Sequence, residues 1–99
     1  MIKHIVLFKL KNFQSEAEKA EKMNEIKVKL EALKSKIDFL RDIRVDICCN
    51  PKEEFDLCLD STVDNMDDLA AYAGHPEHVA VLKIIREVLE KRACVDYEF

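Results

Sequence analysis

Glycine is nearly missing from this chain: Gly74 is the only one, and Pro51 and Pro76 are the only prolines. A glycine loop that cradles phosphate through backbone N–H groups cannot be built from this. So few chain breakers imply long regular elements joined by few loops. Positive charge is not in excess either. Sixteen Lys and Arg face 20 Asp and Glu, giving a net charge of −4 and a pI near 5.4. No basic surplus exists to neutralise a phosphate backbone, so nucleic acid is not an expected partner. Long hydrophobic runs are lacking as well. The N-terminal run Ile5-Val6-Leu7-Phe8 is too short for a signal peptide or a membrane span. The expectation is a cytoplasmic protein without a membrane partner, whose Cys48, Cys49, Cys58 and Cys94 are reduced.

Motif spacings that hold metals are also absent. Neither Cys-x-x-Cys nor His-x-x-x-His occurs, and His75 and His78, three apart, would need His4 or a cysteine to complete a set. No metal and no cofactor are expected. Cys48 and Cys49 are adjacent and would point to opposite faces of a strand, which disfavours a joint chelate or an ordinary disulfide. All four cysteines fall in expected strands and read as small core fillers.

What is present is pattern. With 48% hydrophobic and 36% charged residues, 99 residues make one globular domain spanning 1–99 with no repeat or linker. Met1 to Leu10 is an expected strand with His4, Val6, Phe8 and Leu10 on one face and Ile5 and Leu7 on the other. Both faces are largely apolar, as in a central strand covered on both sides. Ser15-Glu16-Ala17-Glu18 is a capping box that opens a helix of roughly six turns, striped by Ala17, Ala20, Met23, Ile26, Leu30, Leu33 and Ile37. Leu40 to Cys49 and Phe55 to Val63 alternate across the turn Asn50 to Glu54, as a hairpin does.

Asp64 or Asn65 can cap a second helix carrying Met66, Leu69, Tyr72 and Ala73. A third helix is striped by Val79, Leu82, Ile85 and Leu89, and Cys94 to Phe99 is the last expected strand. The order βαββαβ, with the second helical segment broken, is the ferredoxin-like α+β pattern on a four-stranded antiparallel sheet. The helix-facing surface is assigned His4, Val6, Phe8, Ile43, Val45, Leu57, Leu59, Val95 and Tyr97. The other surface is assigned Ile5 and Leu7, ringed by Arg44, Asp46, Asp56, Asp60 and Asp96. One helix layer leaves that second surface bare, so a second copy of the sheet is expected to cover it in a homodimer.

Function concentrates in Tyr72-Ala73-Gly74-His75-Pro76-Glu77-His78-Val79. Gly74 suits a helix end at positive φ, and Pro76 suits a first helical position. His78 then falls in a first turn, where the helix dipole disfavours its protonation and leaves a neutral imidazole. The plain alternative is a helix–helix corner whose polar residues only cap it. For His4 the plain alternative is a buried histidine bonded to a helix backbone group. For Tyr72 it is a core-edge residue whose hydroxyl reaches water.

Three segments resemble one family: Lys3-His4-Ile5-Val6-Leu7-Phe8-Lys9, the Tyr72 to Val79 stretch, and Val95-Asp96-Tyr97. Together they are similar to the stress-responsive α/β-barrel (Dabb) domain over essentially the whole chain. That resemblance implies a ferredoxin-like protomer assembled as a dimeric α+β barrel, in a family associated in plants with stress tolerance. A plant polyketide cyclase of the family uses a tyrosine and a histidine of the corner motif as an acid–base pair, and these match Tyr72 and His78. Its first-strand histidine matches His4. A further pocket histidine falls at Leu57 here, and its helix aromatics are replaced by aliphatics such as Met23 and Ile26, which argues against the same substrate. The implied pocket between helices and sheet involves His4, Val6, Phe8, Met23, Ile26, Leu59 and His75. Three roles follow from it: a protein binding a small, mostly apolar or aromatic molecule; a cyclase- or isomerase-type enzyme using Tyr72 and His78; and a stress-protective structural dimer without a ligand.

Overall fold

A computed structural model covers residues 1–99. Its elements are β1 (Ile2–Leu10), α1 (Glu16–Glu31), a 3₁₀ turn at Ala32–Ser35, β2 (Asp42–Ile47), β3 (Leu57–Val63), α2 (Met66–Ala73), α3 (Pro76–Val88) and β4 (Leu89–Glu98). The four strands form one antiparallel sheet in the order β2-β3-β1-β4, with the helices on one side. This is the expected ferredoxin-like protomer.

The helix starts follow the capping chemistry. The Ser15 hydroxyl accepts from the Glu18 amide at 3.1 Å, and the Asn65 side chain accepts from the Asp68 amide at 2.8 Å. Asn65, rather than Asp64, is therefore the cap of α2; Asp64 instead pairs with Arg41. Helix α1 is shorter than the stripe implies. It tightens into the 3₁₀ turn after Glu31, so Leu33 and Ile37 reach the core from that turn and the loop after it. Ala17 and Ala20 are exposed, and the working face is Met23, Ile26 and Leu30.

Helix α1 also protects an edge of the sheet. The Glu31 carboxylate accepts from the Val45 amide at 3.0 Å, and Lys27 donates to the Val45 carbonyl. Unpaired backbone of edge strand β2 is thereby satisfied from above.

Several side chains lie elsewhere than their pattern suggests. β1 pairs with β4 so that Val6 opposes Cys94, His4 opposes Asp96 and Ile5 opposes Val95. Directly paired residues share a face. Cys94 and Asp96 therefore face the helices, while Val95 and Tyr97 join Ile5 and Leu7 on the open face, the reverse of the expected assignment. Asp56 leaves the open face too. Its carboxylate accepts from the Leu10 amide at 2.8 Å and pairs with Lys19 of α1 at 2.9 Å. Leu89 starts β4 instead of ending the α3 stripe. The cysteines are not core fillers: Cys48 and Cys49 lie beyond the end of β2, and only Cys58 is even half-buried.

Gly74 does not use its freedom. It ends α2 at φ −93° and ψ 0°, in the right-handed region. A Cβ built there would meet nothing closer than the Ala70 carbonyl oxygen at 3.8 Å. Gly74→Ala should thus raise stability, by about 0.4–1 kcal/mol through reduced freedom of the unfolded chain. Chemical denaturation checks this, and a loss of stability would show that the corner needs glycine.

Candidate functional site

A pocket of about 720 Å³ lies between α2, α3 and the β1–β4 side of the sheet. Its walls are mostly apolar: Val6, Phe8, Leu59, Leu69, Leu82 and Ile85 contribute. Among these hydrophobic walls sit His4, Tyr72, His78, Cys94 and Asp96, with Arg86 and Arg92 also on the lining. Of the residues expected at the site, His4, Val6, Phe8, Leu59, Tyr72 and His78 converge here. Met23, Ile26 and His75 do not. Ile26 is fully buried in the core and Met23 lies against a separate groove near Cys48 and Phe55. His75 caps α3, its Nδ1 accepting from the Glu77 amide at 3.1 Å, and its ring packs edge-on to Phe39. Leu57, at the position of the relative's extra histidine, is core.

The helix break sets the geometry. With Pro76 at the start of α3, His78 sits in the first turn and turns back toward the end of α2. Its Nδ1 is 3.1 Å from the Ala73 carbonyl oxygen. A carbonyl only accepts, so Nδ1 carries the proton and Nε2 keeps its lone pair. Burial, above all, pushes the His78 imidazole below its ordinary value. The bond to Ala73 opposes this, while His4, Arg86 and Arg92 add to it. The neutral histidine expected from the helix dipole is there, but the larger cause is desolvation.

Tyr72 stacks obliquely on His78, with ring centroids 4.2 Å apart and planes at 40°. It is 1% exposed, and its hydroxyl is buried with no hydrogen-bond partner. The idea of a core-edge tyrosine whose hydroxyl reaches water is therefore incorrect. Burial alone raises its pKa far above the ordinary value, so the phenol stays protonated and acts as a donor.

His4 lies edge-on to Tyr72 at 6.2 Å. Its Nδ1 meets the Asp96 carboxylate at 2.5 Å, so its partner is a sheet carboxylate and not a helix backbone group. Cys94 Sγ is 3.7 Å from both His4 Nδ1 and Asp96 Oδ1, and these three donor atoms form the one cluster that could hold a metal ion. The sequence reading missed it because strand pairing assembles it from residues some 90 positions apart. Burial, followed by the Asp96 charge, raises the Cys94 thiol. Arg86 and Arg92 were also missed. Arg86 is two turns along α3 from His78 by helical spacing, a signal the sequence did contain.

The fold and pocket define a ferredoxin-like protomer with an apolar cleft between its helix layer and its sheet. A family model, that of the Stress Responsive A/B Barrel Domain, matches residues 2–99, and the chain belongs to this family. No curated protein matches it. Among solved structures, a dimeric protein of unknown function with a ferredoxin-like fold from Bacteroides fragilis is 51% identical. The match covers 99% of this chain and 95% of that one, at a TM-score of 0.93. A dimeric ferredoxin-like protein of unknown function from Thermobifida fusca is 24% identical over 99% and 90% of the two chains, at a TM-score of 0.84. A hydroxynitrile lyase from Passiflora edulis shares the fold at 17% identity over 97% and 90%, with a TM-score of 0.80. No helix is long and apolar enough to cross a membrane.

Proposed function

We propose that this protein is a homodimer that binds a small, mostly apolar molecule in the cleft lined by His4, Tyr72 and His78, with stress as the setting that the family description supports. The observation that carries the reading is the Tyr72 hydroxyl, sealed at the wall of an open pocket without a partner. An unsatisfied buried hydroxyl costs about 1–3 kcal/mol, and a ligand oxygen that reaches it through a small shift of the cleft wall would recover that cost. A protein meant only for packing would gain from phenylalanine there, so the cleft favours ligand binding over a ligand-free protective dimer. The homodimer is supported by the dimeric relatives and by the apolar open face.

The test is an NMR screen against phenolic, polyketide-like and fatty-acid-like compounds, run on the wild type and on Tyr72→Phe. The expected result is shifts clustered on His4, Tyr72 and His78 in the wild type, weakened about tenfold in a variant at least as stable. No shifts from any class would overturn the reading.

An enzymatic reading is favoured by one further observation, the free Nε2 of a neutral His78 stacked against a protonated Tyr72. Nε2 would take a proton from a carbon next to a carbonyl, and the Tyr72 hydroxyl would stabilise the developing oxyanion. The Passiflora edulis lyase supports the view that this fold can carry an enzyme.

A further inference from the structure

The chain has four arginines. Two are held by carboxylates on the protein: Arg41 by Asp64 at 2.7 Å and Arg44 by Asp46 at 2.8 Å. The other two, Arg86 and Arg92, form no ion pair with a carboxylate, Arg92 having only the Cys94 thiol beside it, and both line the cleft. They come from different elements, Arg86 from the last turn of α3 and Arg92 from β4. In a chain of net charge −4, carboxylates are plentiful, yet neither guanidinium is given one. The single acid on the cleft wall, Asp96, is engaged with His4. Both arginines are exposed, while most of the residues lining the cleft are apolar.

Resting on the ligand-binding reading above, we infer that the ligand is an amphiphilic carboxylate, with an alkyl or aryl body in the cleft and its carboxylate at Arg86 and Arg92. Guanidinium groups match carboxylates through paired N–H donors, and a charge-assisted bond is stronger than a neutral one. The apolar walls take the body of the molecule, as in most small-molecule sites. Neutral His78 and protonated Tyr72 place no negative charge in the path of the anion. Asp96 is engaged with His4, which directs the head group to the two guanidinium groups and away from that carboxylate.

Calorimetric titration of the purified protein with decanoate and with 1-decanol tests this, using the wild type and the R86Q/R92Q double variant. Both substitutions are on exposed side chains and should leave the fold intact by circular dichroism. Decanoate is expected to bind the wild type about tenfold or more tighter than decanol, with the preference shrinking as salt is raised. In the double variant the preference should fall to about twofold or less, with decanol binding unchanged. Equal binding of both probes to the wild type would overturn the carboxylate inference and leave the cleft as a binding site. A preference that survives in the double variant would likewise remove the arginines from recognition. Binding of neither probe would overturn the inference together with the ligand-binding reading beneath it.

Discussion

Leu7→Glu should convert the proposed dimer to monomer, or leave the chain unfolded, in light scattering. Leu7 stands mid-strand on the sheet face that carries no helices, beside Ile5 and opposite Ala93. Val95 is 54% exposed and Tyr97 46% exposed on that same face. With Ile5 and Leu7 they form an apolar surface across β1 and β4, and a two-layer protomer offers nothing to cover it. In the proposed homodimer a second copy covers it through a two-fold sheet-to-sheet contact, in which each Leu7 meets the same surface on its partner. One glutamate per protomer puts two unpaired charges into that contact. Its cost is about 3 kcal/mol or more, which is roughly a hundredfold or more in the dissociation constant. Tyr97→Glu should act in the same direction, because Tyr97 lies on this face. A clean, folded Leu7→Glu dimer would show that the two sheets do not meet.

His78→Ala should abolish whatever turnover the protein proves to have. Its Nε2 carries no hydrogen bond, and its ring stacks on Tyr72 in the lining of the cleft. The change also strips the Ala73 carbonyl of its donor, costing about 1–3 kcal/mol. Circular dichroism must therefore show a folded protein. His78→Gln keeps a donor for that carbonyl without a titrating nitrogen, and should be as inactive while more stable. Retained turnover in either folded variant would remove His78 from the chemistry.

The pH dependence follows from the same burial. Because the folded pKa lies below the ordinary value of about 6.5, the unfolded state binds more protons as pH falls through that region. The His78 contribution to stability is thus fully present above about pH 6.5. It is lost progressively as pH drops from there toward the lower, folded pKa. Any activity using Nε2 as base should persist into mildly acidic solution, with its acid limb below the ordinary histidine value. A limb at or above that value would contradict a buried neutral base.

The order of elements, the cap at Ser15 and the break at Pro76 were legible in the sequence, which left the α2 cap between Asp64 and Asn65. They depend on local chemistry: a side chain that accepts from an amide three residues on, or a ring that presets φ. The meeting of His4, Tyr72 and His78 was legible through family resemblance, since no spacing relates residues so far apart along the chain.

The direction each strand faces was not legible for β4. Alternation separates Val95 and Tyr97 from Cys94 and Asp96, but it does not say which set meets the helices. In most sheets the apolar set does. Here the open face is apolar as well, so hydrophobicity alone does not distinguish the two faces. Only the pairing of His4 with Asp96 and of Ile5 with Val95 decides it. That one registration puts a carboxylate on the His4 imidazole, a thiol beside them, and Tyr97 on the open face. The sequence by itself determined the elements and their order, because helix starts and stops are decided within a few residues. Tertiary structure alone decided that Cys94 and Asp96 join His4 in the cleft, because backbone hydrogen bonds between the two ends of the chain set that register.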